Sequence, residues 1–272
     1  MDRKAFERRL EQLVAENRVT IAVVFPLVGA IGLVASATGL LPDGLAFNPY
    51  LLLFGTLVMR LPLAGALANL VTRRTVFWLG LLVAYAYVIE WVGTTTGWPY
   101  GEFAYAIALG PMVAGVPVGL PVFFVPLVLN AYLLALLLTD GSQARLPVAL
   151  GLVLGIDLVL DPAAVALGFW TYPSGAFYGV PSSNFVGWLL SGSVGIMAVD
   201  LAFDRDALGR RLGDVTFALD DFVSFVLLWG AVNALYGQWL PVLVAAGLGL
   251  GLNRTDRFDV RRLPRGVRRR AS

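Results

Sequence analysis

The chain predicts an all-α, polytopic membrane helix bundle, and three observations lead there. Its 272 residues are 58% hydrophobic and only 14% charged, with a mean hydropathy of +0.77, a balance that soluble globular domains do not reach. Apolar runs of about twenty residues, the length that crosses a ~30 Å hydrocarbon core, recur along the whole sequence. The connections between those runs alternate between carrying Lys or Arg and carrying neither, as the loops of a membrane protein do on its two sides.

In chain order, residues 1–18 place Phe6, Leu10, Leu13 and Val14 on one helical face opposite Arg and Glu, which suggests an amphipathic helix in the cytoplasmic interface. An ordinary solvated lead-in accounts for them equally well. Ala35-Ser36-Ala37 resembles a cleavage site, but the apolar run before it is long for a signal peptide. Spans are placed near 19–41, 49–71, 75–92, 116–138, 147–168, 185–203 and 217–236, with a weaker eighth at 240–252. In lipid each must satisfy its own backbone polar groups, so each is read as a helix.

Arg3, Lys4, Arg8, Arg9 and Arg18 precede the first span, Arg73 and Arg74 follow the second, Arg145 follows the fourth, and Arg205, Arg210 and Arg211 follow the sixth. The connections near 42–48, 93–115, 169–184 and 237–239 contain neither Lys nor Arg. About eight helices with both termini cytoplasmic fit this alternation, whereas seven would strand the basic tail outside. No composition break divides the chain, so 19–253 reads as one transmembrane bundle and 254–272 as a basic cytoplasmic appendage. Its clustered Arg suits anionic lipid headgroups, and a plain topology signal explains it nearly as well. Nucleic acid is not expected, because no base-stacking aromatics interleave the arginines.

The two long outer loops, 93–115 and 169–184, mix aromatics with Gly and Pro and contain little charge. Such turn chemistry marks irregular backbone folded back on the bundle as a cap; for any single aromatic, an interfacial Trp/Tyr belt is the simpler reading. The chain has no Cys and no His, which excludes disulfides, thiol nucleophiles, imidazole bases and the histidine-ligated iron centres of membrane oxygenases. Carboxylates, tyrosines, arginine and water remain.

Gly151-Leu-Val-Leu-Gly-Ile-Asp157-Leu-Val-Leu-Asp161-Pro162 puts two carboxyl groups inside a span. Each costs at least ~2.5–3.5 kcal/mol to insert, so such residues pair, face a cavity or mark a site. Four residues apart, they share a helical face. Arg60, near the middle of the second span, is the expected partner of Asp157, an ion pair that would fix helix register. Asp161 precedes Pro162, which loosens the helix locally, and Glu90 ends the third span on the same side, where a snorkelling terminal charge is the bland alternative. Glu90, Asp157 and Asp161 together would line one cavity beneath the aromatic loops. A carboxyl group held in a poorly solvated pocket keeps its proton and acts as an acid near neutral pH, and aromatic faces stabilise a cation formed there. Asp220 and Asp221 read as first-turn residues of the seventh helix; Asp200, Asp204 and Asp206 read as interfacial. Gly247, Gly249 and Gly251 lack dinucleotide-loop spacing and suit close helix packing.

Glu90, then Gly97-Trp98-Pro99-Tyr100-Gly101 with Tyr105, then Asp157 to Pro162, then Trp170, Tyr178-Gly179-Val180-Pro181 and Asn184-Phe185-Val186-Gly187-Trp188 resemble the CruF-type carotenoid hydratases, which include the archaeal bisanhydrobacterioruberin hydratases. The resemblance covers roughly 90–190 by distinctive motifs and the other helices by general character. It implies a hydro-lyase that adds water across terminal isoprenoid double bonds of a C50 or C40 carotenoid, giving tertiary alcohols without an organic cofactor or metal. Other carotenoid-pathway membrane enzymes are candidate partners on the same ground. The chemistry agrees with the residue reading: Asp157 or Asp161 is assigned as acid, Glu90 as the group orienting water, and Trp98, Tyr100, Tyr172, Tyr178 and Trp188 as walls, with Arg60 and Asn184 counted among the substrate-binding residues.

Two rival readings use the same residues. Asp157 and Asp161 resemble half of the aspartate-rich signature of membrane prenyltransferases, which hold diphosphate through Mg²⁺, but the second motif and nearby cations are missing. A proton-coupled transporter would use Arg60 and Asp157 in its pathway, yet no inverted repeat or matching pair of broken helices is present. The topology is testable in this cysteine-free chain. Impermeant thiol reagent is expected to label Gly44→Cys and Ser174→Cys from outside, and Ser142→Cys and Ser272→Cys only after lysis. External labelling of Ser142→Cys overturns the eight-helix arrangement.

Overall fold

The structure is a computed structural model, and it describes residues 3–255. Helix α1 (Arg3–Glu16) leads through a π-helical turn at Thr20–Val24 into α2 (Phe25–Ala37). The chain continues with α3 (Pro49–Leu67), α4 (Arg73–Thr96), α5 (Leu120–Leu138), α6 (Ser142–Leu167) and α7 (Ser182–Ala202). A short amphipathic α8 (Arg205–Asp214) precedes α9 (Asp220–Leu235) and α10 (Trp239–Arg254). Among the described residues, six stretches are long and apolar enough to cross a membrane: Thr20–Ala37, Pro49–Leu70, Arg73–Thr96, Leu120–Leu138, Gln143–Leu167 and Ser182–Ala202. The seventh and eighth expected runs form the shorter helices α9 and α10, of 16 residues each.

Helix α5 lies at the centre, with every residue from Pro126 to Ala135 buried. It packs on α6 and α7; α4 lies along α7, and α9 is flanked by α2 and α10. Two glycines in the left-handed region end the helices that feed the long loops, Gly97 after α4 and Gly168 after α6, a conformation that costs glycine nothing. The loops are joined to each other. Strand β1 (Ala104–Tyr105) pairs antiparallel with β4 (Trp170–Thr171), Ala104 opposite Thr171 and Tyr105 opposite Trp170. Within the first loop, β2 (Met112–Val113) and β3 (Val116–Pro117) form a small hairpin. The helix carrying Asp161 runs unbroken through Pro162 to Leu167, so Asp157 and Asp161 keep one face.

Charge is concentrated at the other end of the bundle. The expected Arg60–Asp157 pair is not formed: α3 packs on α9 and α5, whereas α6 packs on α5, α7 and α10. Arg60 bonds instead to Asp221 at 2.5 Å, and Asn130 donates to the second oxygen of that carboxylate, also at 2.5 Å. Arg60 Nε also donates to the Val122 carbonyl at 3.2 Å, an oxygen left without an intrahelical donor because Pro126, four residues on, has no N–H. Asp220 and Asp221 do open α9, as expected of first-turn residues, but both are buried, and Arg18 forms a two-bond fork on Asp220 at 2.5 and 2.8 Å. Asp200 is held by Arg145, Arg205 and Tyr132, and Asp204 caps α8 through the Ala207 amide.

The Arg60–Asp221–Asn130 group ties α3, α5 and α9 together away from water. Removing one partner of a buried pair leaves the other charge uncompensated, a loss of about 3–5 kcal/mol, while a well-packed apolar replacement of both is close to neutral. Arg60→Met is therefore expected to lower the thermal midpoint and detergent-extracted yield sharply, and Arg60→Met with Asp221→Leu to recover most of both.

Candidate functional site

A cavity of about 150 Å³ lies beneath the joined loops. Its polar groups come from three helices and two loops: Glu90 from the last turns of α4, Asp161 from α6, Asn184 from the first turn of α7, and Tyr100, Tyr105 and Tyr172 from the two loops. The rest of the wall is apolar and largely aromatic, including Phe103, Phe124, Trp170, Trp188 and Trp229. Phe124 and Trp188 stack with their ring centres 5.6 Å apart and planes 22° from parallel. Phe103 meets Tyr105 and Tyr172 at 5.8 and 6.1 Å, so the pairing of β1 with β4 carries the roof of the cavity.

Asn184 organises the acidic side. Its amide nitrogen donates to Asp161 Oδ2 at 2.6 Å and to Asp157 Oδ2 at 3.1 Å. The Tyr172 hydroxyl donates to the Asn184 carbonyl oxygen at 3.2 Å and to Asp161 Oδ2 at 3.3 Å. This bonding fixes the amide orientation, because only the nitrogen can donate to both carboxyl groups. Asp157 is fully buried behind Asp161. Across the cavity, the Tyr105 hydroxyl donates to Glu90. Among the described residues, no ion pair reaches Glu90, Asp157 or Asp161, and the cavity wall has no Lys or Arg.

Burial pushes the hydroxyls of Tyr100, Tyr105 and Tyr172 above the ordinary phenol range. For Tyr105 the neighbouring Glu90, and for Tyr172 the two aspartates, act in the same direction. All three remain protonated donors. Tyr100 meets Ser191 Oγ at 2.6 Å, and Ser191 meets Tyr85 at 3.0 Å, which anchors the first loop to α7 and α4.

Of the residues singled out in the sequence, Glu90, Asp161, Tyr100, Tyr172, Asn184 and Trp188 are brought together here, with Asp157 directly behind. Arg60 is held elsewhere by Asp221. Trp98 is 60% exposed and does not line the cavity, because the chain turns inward only at Tyr100. Tyr178 packs edge-on against Phe177 and its hydroxyl faces the Leu240 amide. Phe124 and Trp229 were not singled out: each sits in an apolar run with nothing to distinguish a cavity-facing ring from one packed in a core. Tyr105 and Trp170 stood within the loop motifs, but which ring of several turns inward is settled only by the β1–β4 register.

Residues 47–252 match the family described as carotenoid biosynthesis protein. The chain belongs to this family. A bisanhydrobacterioruberin hydratase of Haloarcula japonica is 60% identical over 256 residues, covering 92% of this chain and 87% of that protein. No solved structure matches the chain. The resemblance to CruF-type carotenoid hydratases thus extends well beyond the loop motifs, over most of the bundle.

In this family member the close approach of α7 to the first loop depends on Gly187. A Cβ there would lie 2.4 Å from Tyr100 Cδ1 and 3.2 Å from the Pro99 backbone, and overpacking of this kind costs about 1–3 kcal/mol. Gly187→Ala is expected to lower the thermal midpoint, and Gly187→Ala with Tyr100→Leu to recover part of it.

Proposed function

We propose that this protein adds water across a terminal isoprenoid C=C bond of a bisanhydrobacterioruberin-type carotenoid, giving a tertiary alcohol. The observation that supports it best is the cation-free, aromatic-walled cavity with carboxyl groups on two sides, in a chain 60% identical to a bisanhydrobacterioruberin hydratase. A hydrocarbon end fits such walls. A diphosphate does not, since it would meet no Lys or Arg on them.

In this reading Asp161, held by Asn184 and Tyr172, is the acid. Its carboxyl proton passes to the less substituted alkene carbon, forming a C–H bond and leaving a tertiary cation on the adjacent carbon. The faces of Trp188, Phe124 and Tyr100 stabilise that charge, an attraction that strengthens when water is excluded. A water molecule held by Glu90 attacks the cation, and Glu90 takes the proton released as the C–O bond forms. Exchange with water returns Glu90 and Asp161 to their starting states, so the net change is addition of one H₂O. Asp157 acts through Asn184, which bridges the two aspartates.

The reading places the protein in the cell membrane as a multi-pass bundle with both termini cytoplasmic. The short helices α9 and α10 supply the even count of spans that the charge alternation requires, making eight with the six longer ones. The basic tail would then meet anionic headgroups; all of it beyond Thr255 lies outside the described residues.

Asp161→Asn is expected to lower product at least about 100-fold, the scale of a lost general acid, with membrane insertion intact; full activity would remove Asp161 from the mechanism. Membranes containing the wild-type protein should form the alcohol anaerobically with chelator and no reductant, taking oxygen from H₂¹⁸O and solvent deuterium at the adjacent carbon. Label from ¹⁸O₂ would exclude hydration.

A further inference from the structure

A second cavity, of about 230 Å³, opens between α2 and α3. It shares Leu109, Phe123, Phe169 and Trp229 with the wall of the acid-bearing cavity, so the two spaces adjoin across these side chains. Apart from those four, its walls come from α2, α3, the connection between them, Gly119 and Leu228. None of its polar side chains is free to recognise a polar ligand: Ser36 donates to the Gly32 carbonyl, Thr56 to the Leu52 carbonyl, and Asn48 caps α3 through the Tyr50 and Leu51 amides.

The space exists because two neighbouring helices do not close on each other. Helix α2 packs chiefly on α9 and much less on α3. Where a side chain would otherwise fill the gap, α2 presents Gly32, at which a Cβ meets nothing within 4 Å, while Gly29 lies against Leu228 and Gly55 against Phe25. Leu45 and Leu51, both on the cavity wall, are each 52% exposed, so the space opens toward the flank of the bundle that lipid would cover. The wall toward the reactive cavity is Phe123, Phe169 and Trp229, with Phe169 edge-on to Trp229 at 6.1 Å.

We propose that the α2–α3 cleft is the binding channel for the hydrocarbon body of the polyene. The substrate enters sideways from the lipid, and its terminal isoprenoid unit passes beneath Phe169 and Trp229 to Asp161. The channel rests on the hydratase reading and adds substrate length to it. The acid-bearing cavity alone is too small for more than the end of a long carotenoid, and the rest of the chain must leave through an apolar opening. The cleft adjoins that cavity, is uncharged and opens to the apolar side. Recognition along it is by shape and burial, so it selects long, acyclic, apolar chains over short ones.

The test uses the full-length protein in membranes and a ladder of acyclic isoprenoid hydrocarbons with the same end unit, shortened stepwise. The reference is the shortest member that the wild-type protein hydrates. Gly32→Phe fills the cleft from a helical position where glycine is not required, and Leu51→Trp narrows its mouth at a side chain that is half exposed. Both are expected to lower the ratio of kcat/KM for the long substrate over the reference by at least about tenfold. Ile31→Phe places the same ring on the exposed face of α2, off the cleft wall, and should leave the ratio at its wild-type value. An unchanged ratio in both cleft variants overturns the channel, including the case in which a membrane lipid occupies the cleft. A wild-type protein that hydrates no member of the ladder instead overturns the hydratase reading.

Discussion

A single amide holds the acidic side of the cavity together. Asn184 donates to Asp157 and Asp161 with one nitrogen and accepts from Tyr172 with its oxygen, so α6, α7 and the second loop meet at one side chain. Carboxyl groups buried in an apolar bundle need donors, and a cation would supply them most strongly. A cation would also hold the carboxyl group as its anion and remove it from acid chemistry. Neutral donors from Asn and Tyr fix the geometry of Asp161 without imposing charge. The raised position of the Tyr105 and Tyr172 hydroxyls belongs to the same arrangement, since each remains a donor toward its carboxyl partner.

The arginines are used where the acids need not react. Arg60, Arg18, Arg145 and Arg205 engage Asp221, Asp220 and Asp200 near the end of the bundle away from the long loops. Several also satisfy helix carbonyls: Arg211 donates to Gly65 and Ala66 at the end of α3, and Arg74 to Leu201 near the end of α7. There the favourable interaction of a cation with a helix C-terminus coincides with the charge asymmetry that orients a membrane protein. The same residues therefore serve topology, capping and interhelical register, leaving the loop end free of positive charge.

How much of this was legible in the sequence follows from what periodicity and composition encode. Hydropathy located the apolar helices, and a spacing of four put Asp157 and Asp161 on one face, because both depend on local geometry alone. The pairing of Arg60 depended on which helix α3 meets. Depth in the membrane suggested Asp157, but depth carries no information on rotation about the bundle axis, and Asp221 on α9 was the true neighbour. The aromatic loops were recognisable as a cap, yet Trp98 and Tyr100, two residues apart, end on opposite sides of the backbone: one 60% exposed, the other 6%. Such a difference is set by the turn at 97–101, which composition marks only as irregular. The α2–α3 cleft left no sequence signal at all, since Gly32 looks like an ordinary packing glycine until the neighbouring helix fails to fill the space beside it.

That failure to fill bears on how a rigid bundle can accept a long substrate. A membrane protein gains no hydrophobic driving force from helix association, and close contact between helices relies on packing and polar bonds. Here the polar bonds are distributed unevenly. Arg60, Asp221 and Asn130 pin α3 to α9 and α5 toward the end away from the loops, and Arg18 pins the start of the first span to α9. Toward the loops, the polar side chains that α2 and α3 turn to the cleft are satisfied within their own backbone. The two helices are thus anchored at one end and held apart at the other, and the opening between them adjoins the cavity that Glu90 and Asp161 line.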